Sequence, residues 1–195
     1  MTRTRIKICG VRDVATAQAA VAAGADAVGL VLVAGSPRCI NVDQAKEIAA
    51  ALPAIVEPVG LFVAESPSRV LAAAKHVGLR TVQLHGDERP EHVQQLKDLR
   101  VIKAIGFAPA SALQAIDPWR SQSPNLVALL WDAPAADAAA CPGGSGQRFN
   151  WDEVARLESN GALDGLPPRI LAGGLTPQNV GRAIATVRPY AVDVS

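Results

Sequence analysis

The chain has 195 residues, with 19 Lys and Arg against 18 Asp and Glu, so it carries no polyanion signal and no basic run of the kind that binds nucleic acid. Aromatic residues make up 4%, too few for base-stacking platforms, and three cysteines without a CxxC pair argue against a disulfide framework or a zinc site and for a reducing, cytoplasmic setting. "MTRTRIKICG" forms no signal-peptide apolar region, and the longest apolar reach, 19–33, is broken by Gly24 and Asp26 and is too short for a membrane span.

Along the chain, short β-branched runs alternate with Ala-rich stretches. Strands are predicted at 5–9, 27–33, 57–63, 81–86, 101–107, 126–132, 169–173 and 191–195, with helices at 13–23, 43–52, 67–76, 90–98, 109–116, 151–159 and 177–187. Helix starts are marked by Asp13, by Asn41 to Asp43, by Ser66-Pro67 and by Thr176-Pro177, and stops by Gly24 and Gly78. No linker, low-complexity segment or compositional break divides the chain, so residues 1–195 read as one domain. The longest irregular stretch, 133–150, is long enough to suggest a functional loop.

Eight apolar strands joined by helices predict an α/β fold, a closed (β/α)8 TIM barrel, in preference to an open doubly wound sheet. The polar residues of the strands support closure. Lys7 with Cys9, Gln83 with His85, Lys103, Asp132, and Asp193 with Ser195 are expected to face the lumen, mostly near strand C-termini. Active sites of such barrels lie at that end, which gathers Cys9, Arg38, His85, Asp132 and Asp193 at one mouth.

Cys9 is a candidate proton acceptor because a nearby cation, with Lys7 on the same face, draws a thiol toward its ionised form. Asp132 ends an apolar strand and reads either as a cap of the next loop or as an acid kept neutral by its surroundings; with Cys9 across the mouth, the acid is preferred. Two glycine-rich turns, "PGGSGQRFNW" (142–151) and "LAGGLTPQNV" (171–180), each run toward a helix and are suited to cradling phosphate. Arg38 in "SPRCI" either pairs with a ligand carboxylate or is a solvated loop arginine. His85 is by default a satisfied rim histidine. His76 and His92 read as surface residues, Trp119, Trp131 and Trp151 as packing, and Cys39 and Cys141 as incidental.

"KICG", "GLVLVAGSPRCI", "VGLFV", "QLHGDE", "VIKAI", "LLWDA", "GGSGQRFNW", "LAGGLTPQNV" and "VDVS" stand in order over nearly the whole chain, and together they resemble the phosphoribosylanthranilate isomerase family of tryptophan biosynthesis. The resemblance implies an Amadori rearrangement of N-(5-phosphoribosyl)anthranilate to 1-(2-carboxyphenylamino)-1-deoxyribulose 5-phosphate. It implies Cys9 as general base, Asp132 as general acid and Arg38 against the anthranilate carboxylate. Phosphate falls to Gly144, Ser145 and Gly146 and to Gly173 and Gly174, with Gln83, His85 and Asp193 facing the substrate. No metal or organic cofactor is required, because the substrate nitrogen serves as electron sink. The partner is a small phosphorylated molecule, not nucleic acid or membrane, and the sequence leaves monomer and homodimer open. The family pattern continues past "VDVS" into a further loop and helix, whereas this chain stops at Ser195, so a barrel lacking the helix after strand 8 is expected. Two other readings are an inactive, phosphate-binding barrel and a neighbouring sugar-phosphate enzyme, indole-3-glycerol-phosphate synthase; the second lacks a strand-end glutamate here.

Overall fold

The structure, a computed structural model, describes residues 3–108, 111–120, 123–133 and 150–195. Eight parallel strands, β1 (Arg5–Cys9), β2 (Ala27–Val31), β3 (Glu57–Phe62), β4 (Thr81–Leu84), β5 (Arg100–Gly106), β6 (Leu126–Asp132), β7 (Arg169–Leu171) and β8 (Ala191–Val194), pair in sequence order. Pairing of β1 with β8, Lys7 opposite Asp193, closes the barrel. Helices α1 (Val14–Ala22), α2 (Val42–Ala51), α3 (Pro67–Val77), α4 (Pro90–Gln95), α5 (Ala112–Ile116), α6 (Trp151–Ser159) and α7 (Val180–Val187) fill the crossovers, and a 3₁₀ turn at Asp117–Trp119 follows α5. All eight predicted strands are present. Among the described residues no helix follows β8.

Local chemistry sets the helix ends. The Asp13 carboxylate accepts the Thr16 N–H at 2.7 Å, and Asn41 and Gln44 form a reciprocal capping box. Gly78, at φ +84°, takes the left-handed conformation that ends α3. Two predicted helices are shorter than expected for visible reasons. α4 stops at Gln95 because the Asn125 amide donates to the carbonyls of Val93 and Leu96, satisfying the helix end early. α7 begins at Val180 rather than Pro177 because Asn179 draws 176–179 into a turn: its amide donates to the Gly174 carbonyl and its oxygen accepts the Thr176 N–H, both at 2.9 Å.

Alternation along the strands creates two cores. Val59, Ile102, Ala104, Ala128, Leu130, Ile170, Ala172 and Ala191 form the lumen layer, while the opposite parity packs under the helices. Trp131 faces outward as predicted and lies 5.4 Å, centroid to centroid, from Phe107. Trp119 and Trp151 are also buried in the outer core.

Lys103 does not join the lumen set. Its strand neighbours Ile102 and Ala104 face inward, so Lys103 shares the outward parity of Val101 and Ile105. There it is buried, 3.1 Å from Glu88 and with its ammonium 5.9 Å from the centre of the Trp119 ring. His92 is half-buried on α4 rather than exposed, whereas His76 is exposed and lies 2.7 Å from Asp43.

Candidate active site

The C-terminal mouth opens into a cavity of about 550 Å³. Cys9, Arg38, Gln83, His85, Asp132, Gly173, Gly174 and Asp193 all line it, so predicted site residues scattered from β1 to β8 come together at one opening. Gly144, Ser145, Gly146 and Cys141 lie outside the described residues. Cys39 is exposed and does not line the cavity.

On one wall, Lys7 and Asp193 are buried and Cys9 lies half-buried beside them. The Lys7 ammonium donates to the Asp193 carboxylate at 2.8 Å, and both side chains are less than a tenth exposed. Burial works against the Lys7 charge, but Asp193 and the Cys9 sulfur hold its pKa above that of a free lysine. Burial, with the Asp193 charge adding to it, holds the Cys9 thiol above its ordinary pKa although Lys7 pulls the other way, so in the free site the lysine offsets burial rather than drawing the thiol below its usual range as expected. Burial also raises Asp193, against the pull of Lys7.

Gly29 makes this packing possible. It stands opposite Cys9 in the β1–β2 register, and a methyl group there would lie 2.7 Å from the Cys9 sulfur and 3.1 Å from the Lys7 nitrogen. An isolated glycine in the apolar run "AVGLV" was the available sequence signal, since glycine inside a strand marks a close approach.

The Asp132 carboxylate projects from the end of β6. One oxygen accepts the N–H of Ala133 at 2.8 Å and the other lies 3.4 Å from His85 Nε2, so the residue shapes its own loop while facing the cavity. Gly173, at φ +78°, lies against it: a side chain there would crowd the Ala133 nitrogen and the Asp132 carboxylate. His85 is not a satisfied rim histidine, because its buried Nδ1 has no partner among the described residues; the same holds for the Gln83 side-chain oxygen. Arg38 is half-buried, and its aliphatic stem lies over Gly10, whose φ of +81° and missing side chain leave the space.

Behind this wall, Glu88 ties the loops together. Its carboxylate accepts the N–H groups of Ala64 and Gly86, both at 2.9 Å, and pairs with Lys103. Lys103 in turn donates to the Gly86 and Ala104 carbonyls at 2.6 and 2.8 Å. Sequence reading missed Glu88, although it stands within "QLHGDE".

A closed (β/α)8 barrel with a thiol, a carboxyl group and a guanidinium converging on its C-terminal mouth has the arrangement of a barrel enzyme. The family model for N-(5′-phosphoribosyl)anthranilate isomerase matches residues 6–195. An N-(5′-phosphoribosyl)anthranilate isomerase of Geobacter sulfurreducens is 45% identical over 191 residues, covering 98% of this chain and 87% of the relative. The crystal structure of phosphoribosylanthranilate isomerase from Thermotoga maritima superposes with a TM-score of 0.86 at 36% identity, covering 99% of this chain and 88% of the other. A phosphoribosylanthranilate isomerase complexed with reduced 1-(o-carboxyphenylamino)-1-deoxyribulose 5-phosphate superposes with a TM-score of 0.82 at 34% identity, with coverage of 99% and 87%. The chain belongs to the N-(5′-phosphoribosyl)anthranilate isomerase family and is an isomerase.

Proposed function

We propose that Cys9 and Asp132 carry the two proton transfers of the Amadori rearrangement of N-(5′-phosphoribosyl)anthranilate. Asp132, as the neutral acid, gives its proton to the furanose ring oxygen as the C1′–O bond breaks, and the anilino nitrogen lone pair forms the iminium. The iminium acidifies the C2′ proton, which the Cys9 thiolate removes, giving the enolamine. Protonation at C1′ and loss of the C2′ hydroxyl proton yield the aminoketose, so the reaction is an isomerisation with no external redox partner. His85, 3.4 Å from Asp132, is suited to orienting the acid. Arg38 is suited to a bidentate pair with the anthranilate carboxylate. Gln83 and Asp193 face the sugar hydroxyls, and Gly173 and Gly174 offer backbone to the phosphate. The same reading gives Gly144, Ser145 and Gly146 to the phosphate as well.

The observation that carries this reading is that Cys9 and Asp132, 123 positions apart in the chain, line one cavity. The test is turnover of Cys9→Ala and Asp132→Asn. Each is expected to lose at least about 10²-fold in kcat, the usual contribution of a positioned acid or base. Near-wild-type turnover by either variant removes that residue from its role. The reading also places the reaction in the cytoplasm, where unpaired thiols stay reduced.

A further inference from the structure

We infer that Lys7 is a positioning residue for catalysis: its ammonium, anchored by Asp193, is the fixed positive charge beside the Cys9 sulfur that allows the thiolate to form in a half-buried site. The inference rests on the reading of Cys9 as the general base and adds the group that makes a half-buried thiol able to serve.

Three observations converge. Lys7 and Cys9 share the inward face of β1. The Lys7 ammonium is held from the other side by Asp193 at 2.8 Å, which fixes its position rather than leaving it on a mobile stem. Finally, the space above Gly29 is flanked by both the Lys7 nitrogen and the Cys9 sulfur, so the barrel gives up a side chain on the adjacent strand to let them crowd together.

A buried thiolate without a nearby cation carries a large desolvation cost, and the thiol would hold its proton. Among the described residues, the charged and titratable groups around the sulfur come from four sources: Lys7 on β1, Asp193 on β8, Asp132 at the end of β6 and His85 after β4. β2 contributes only Gly29 at this level, and Arg38 lies farther out over Gly10. Lys7 is therefore the permanent cation on the Cys9 wall. Asp193 has two opposed effects: it anchors the lysine and its negative charge works against the thiolate.

That opposition supplies a test that a merely structural lysine does not pass. In a background with Cys39 and Cys141 replaced by Ser, the rate of Cys9 alkylation by iodoacetamide is followed against pH in the ligand-free enzyme. Lys7→Met is expected to move the profile to higher pH, lowering the rate on its acidic limb by about tenfold, the consequence of a shift of one pH unit. Asp193→Asn is expected to move it the other way. Lys7→Arg is expected to restore much of the Lys7→Met loss in both alkylation and kcat. Because Lys7→Met leaves a buried carboxylate unpaired, Lys7→Met/Asp193→Asn is compared with Asp193→Asn alone, which isolates the lysine charge in a background without that penalty. Changes in access alter the plateau rate at high pH and leave the midpoint in place. Profiles that do not move, or that move in the same direction for the Lys7→Met and Asp193→Asn variants, overturn the inference while leaving Cys9 as the base. Full turnover by Cys9→Ala overturns both.

Discussion

Glu88 and Lys103 form an ion pair, 3.1 Å apart, on the helix-facing side of the barrel wall, with both side chains at most 4% exposed. The pair holds the Gly86 peptide from both ends: its N–H donates to Glu88 and its carbonyl accepts from Lys103. His85, the residue before it, is the one that reaches Asp132. Removing one member strands the other charge in the interior. Lys103→Met is therefore expected to destabilise the fold by about 3–5 kcal/mol, read from urea unfolding. Simultaneous replacement by Lys103→Met and Glu88→Leu is expected to recover much of that loss. A double variant no more stable than Lys103→Met overturns the pairing as the cause.

The same carboxylate sets a pH signature. Burial opposes the Glu88 charge, but Lys103 and the Ala64 N–H outweigh it and hold its pKa below the usual glutamate value. A group whose pKa is lower when folded contributes stability that is fully present above its unfolded value, about 4.3, and is lost as pH falls through the folded value beneath it. Glu88→Gln is expected to show a shallower loss of stability than wild type as pH falls below about 4.3. Parallel curves for the two proteins in that range contradict the assignment.

Strand positions were legible because most strands are short apolar runs set between helix-like stretches, and the mouth was legible because polar residues stand at or just past the ends of β1, β4, β6 and β8. Lys103 shows where parity fails. A lone polar residue in "VIKAIGF" has no same-face partner to fix its side, and only contacts from the loop between β4 and α4 and from Trp119 decide that it points outward. Glu88 and Asn179 were missed for a related reason. Their work is to satisfy backbone groups of loops distant in sequence or freshly turned, and no periodic pattern reports that. Gly29 was different: the glycine was visible, but what it made room for required the β1–β2 register.

Gly29→Ala tests whether the crowding above that residue matters. Gly29 is a strand residue without left-handed backbone, so alanine adds only a methyl group, and that methyl would lie 2.7 Å from the Cys9 sulfur. The sulfur must shift, and the Cys9 Cα at 3.0 Å and the Lys7 ammonium at 3.1 Å are crowded as well. Misplacement of a reacting group by about 1 Å costs about 10²-fold, and a loss of that order in kcat with little change in KM is expected. Unchanged kcat means the cluster accommodates the methyl without consequence.

Arg38 is expected to govern substrate affinity more than turnover. A charge-assisted bidentate contact contributes about 1.5–3 kcal/mol, so Arg38→Ala is expected to raise KM by about 10- to 100-fold. A lysine in its place supplies charge without the planar fork, and Arg38→Lys is expected to recover only part of the loss. Steady-state kinetics with the anthranilate-bearing substrate decide this. A fall in kcat at constant KM places Arg38 in the chemical step instead.

Asn179 offers the cleanest test of the β7–α7 loop. Its side chain makes two hydrogen bonds across the segment, accepting from Thr176 and donating to Gly174, and Gly173, Gly174 and Thr176 line the cavity. Consecutive glycines at φ +78° and +59° are free to reorganise unless something fixes them. Asn179→Ala removes both tethers, at a net cost of about 1 kcal/mol each. If this loop presents backbone to the substrate phosphate, KM for substrate and the inhibition constant for inorganic phosphate rise together, by about tenfold, with kcat largely kept. A rise in KM without weaker phosphate inhibition assigns the loop to another part of the substrate.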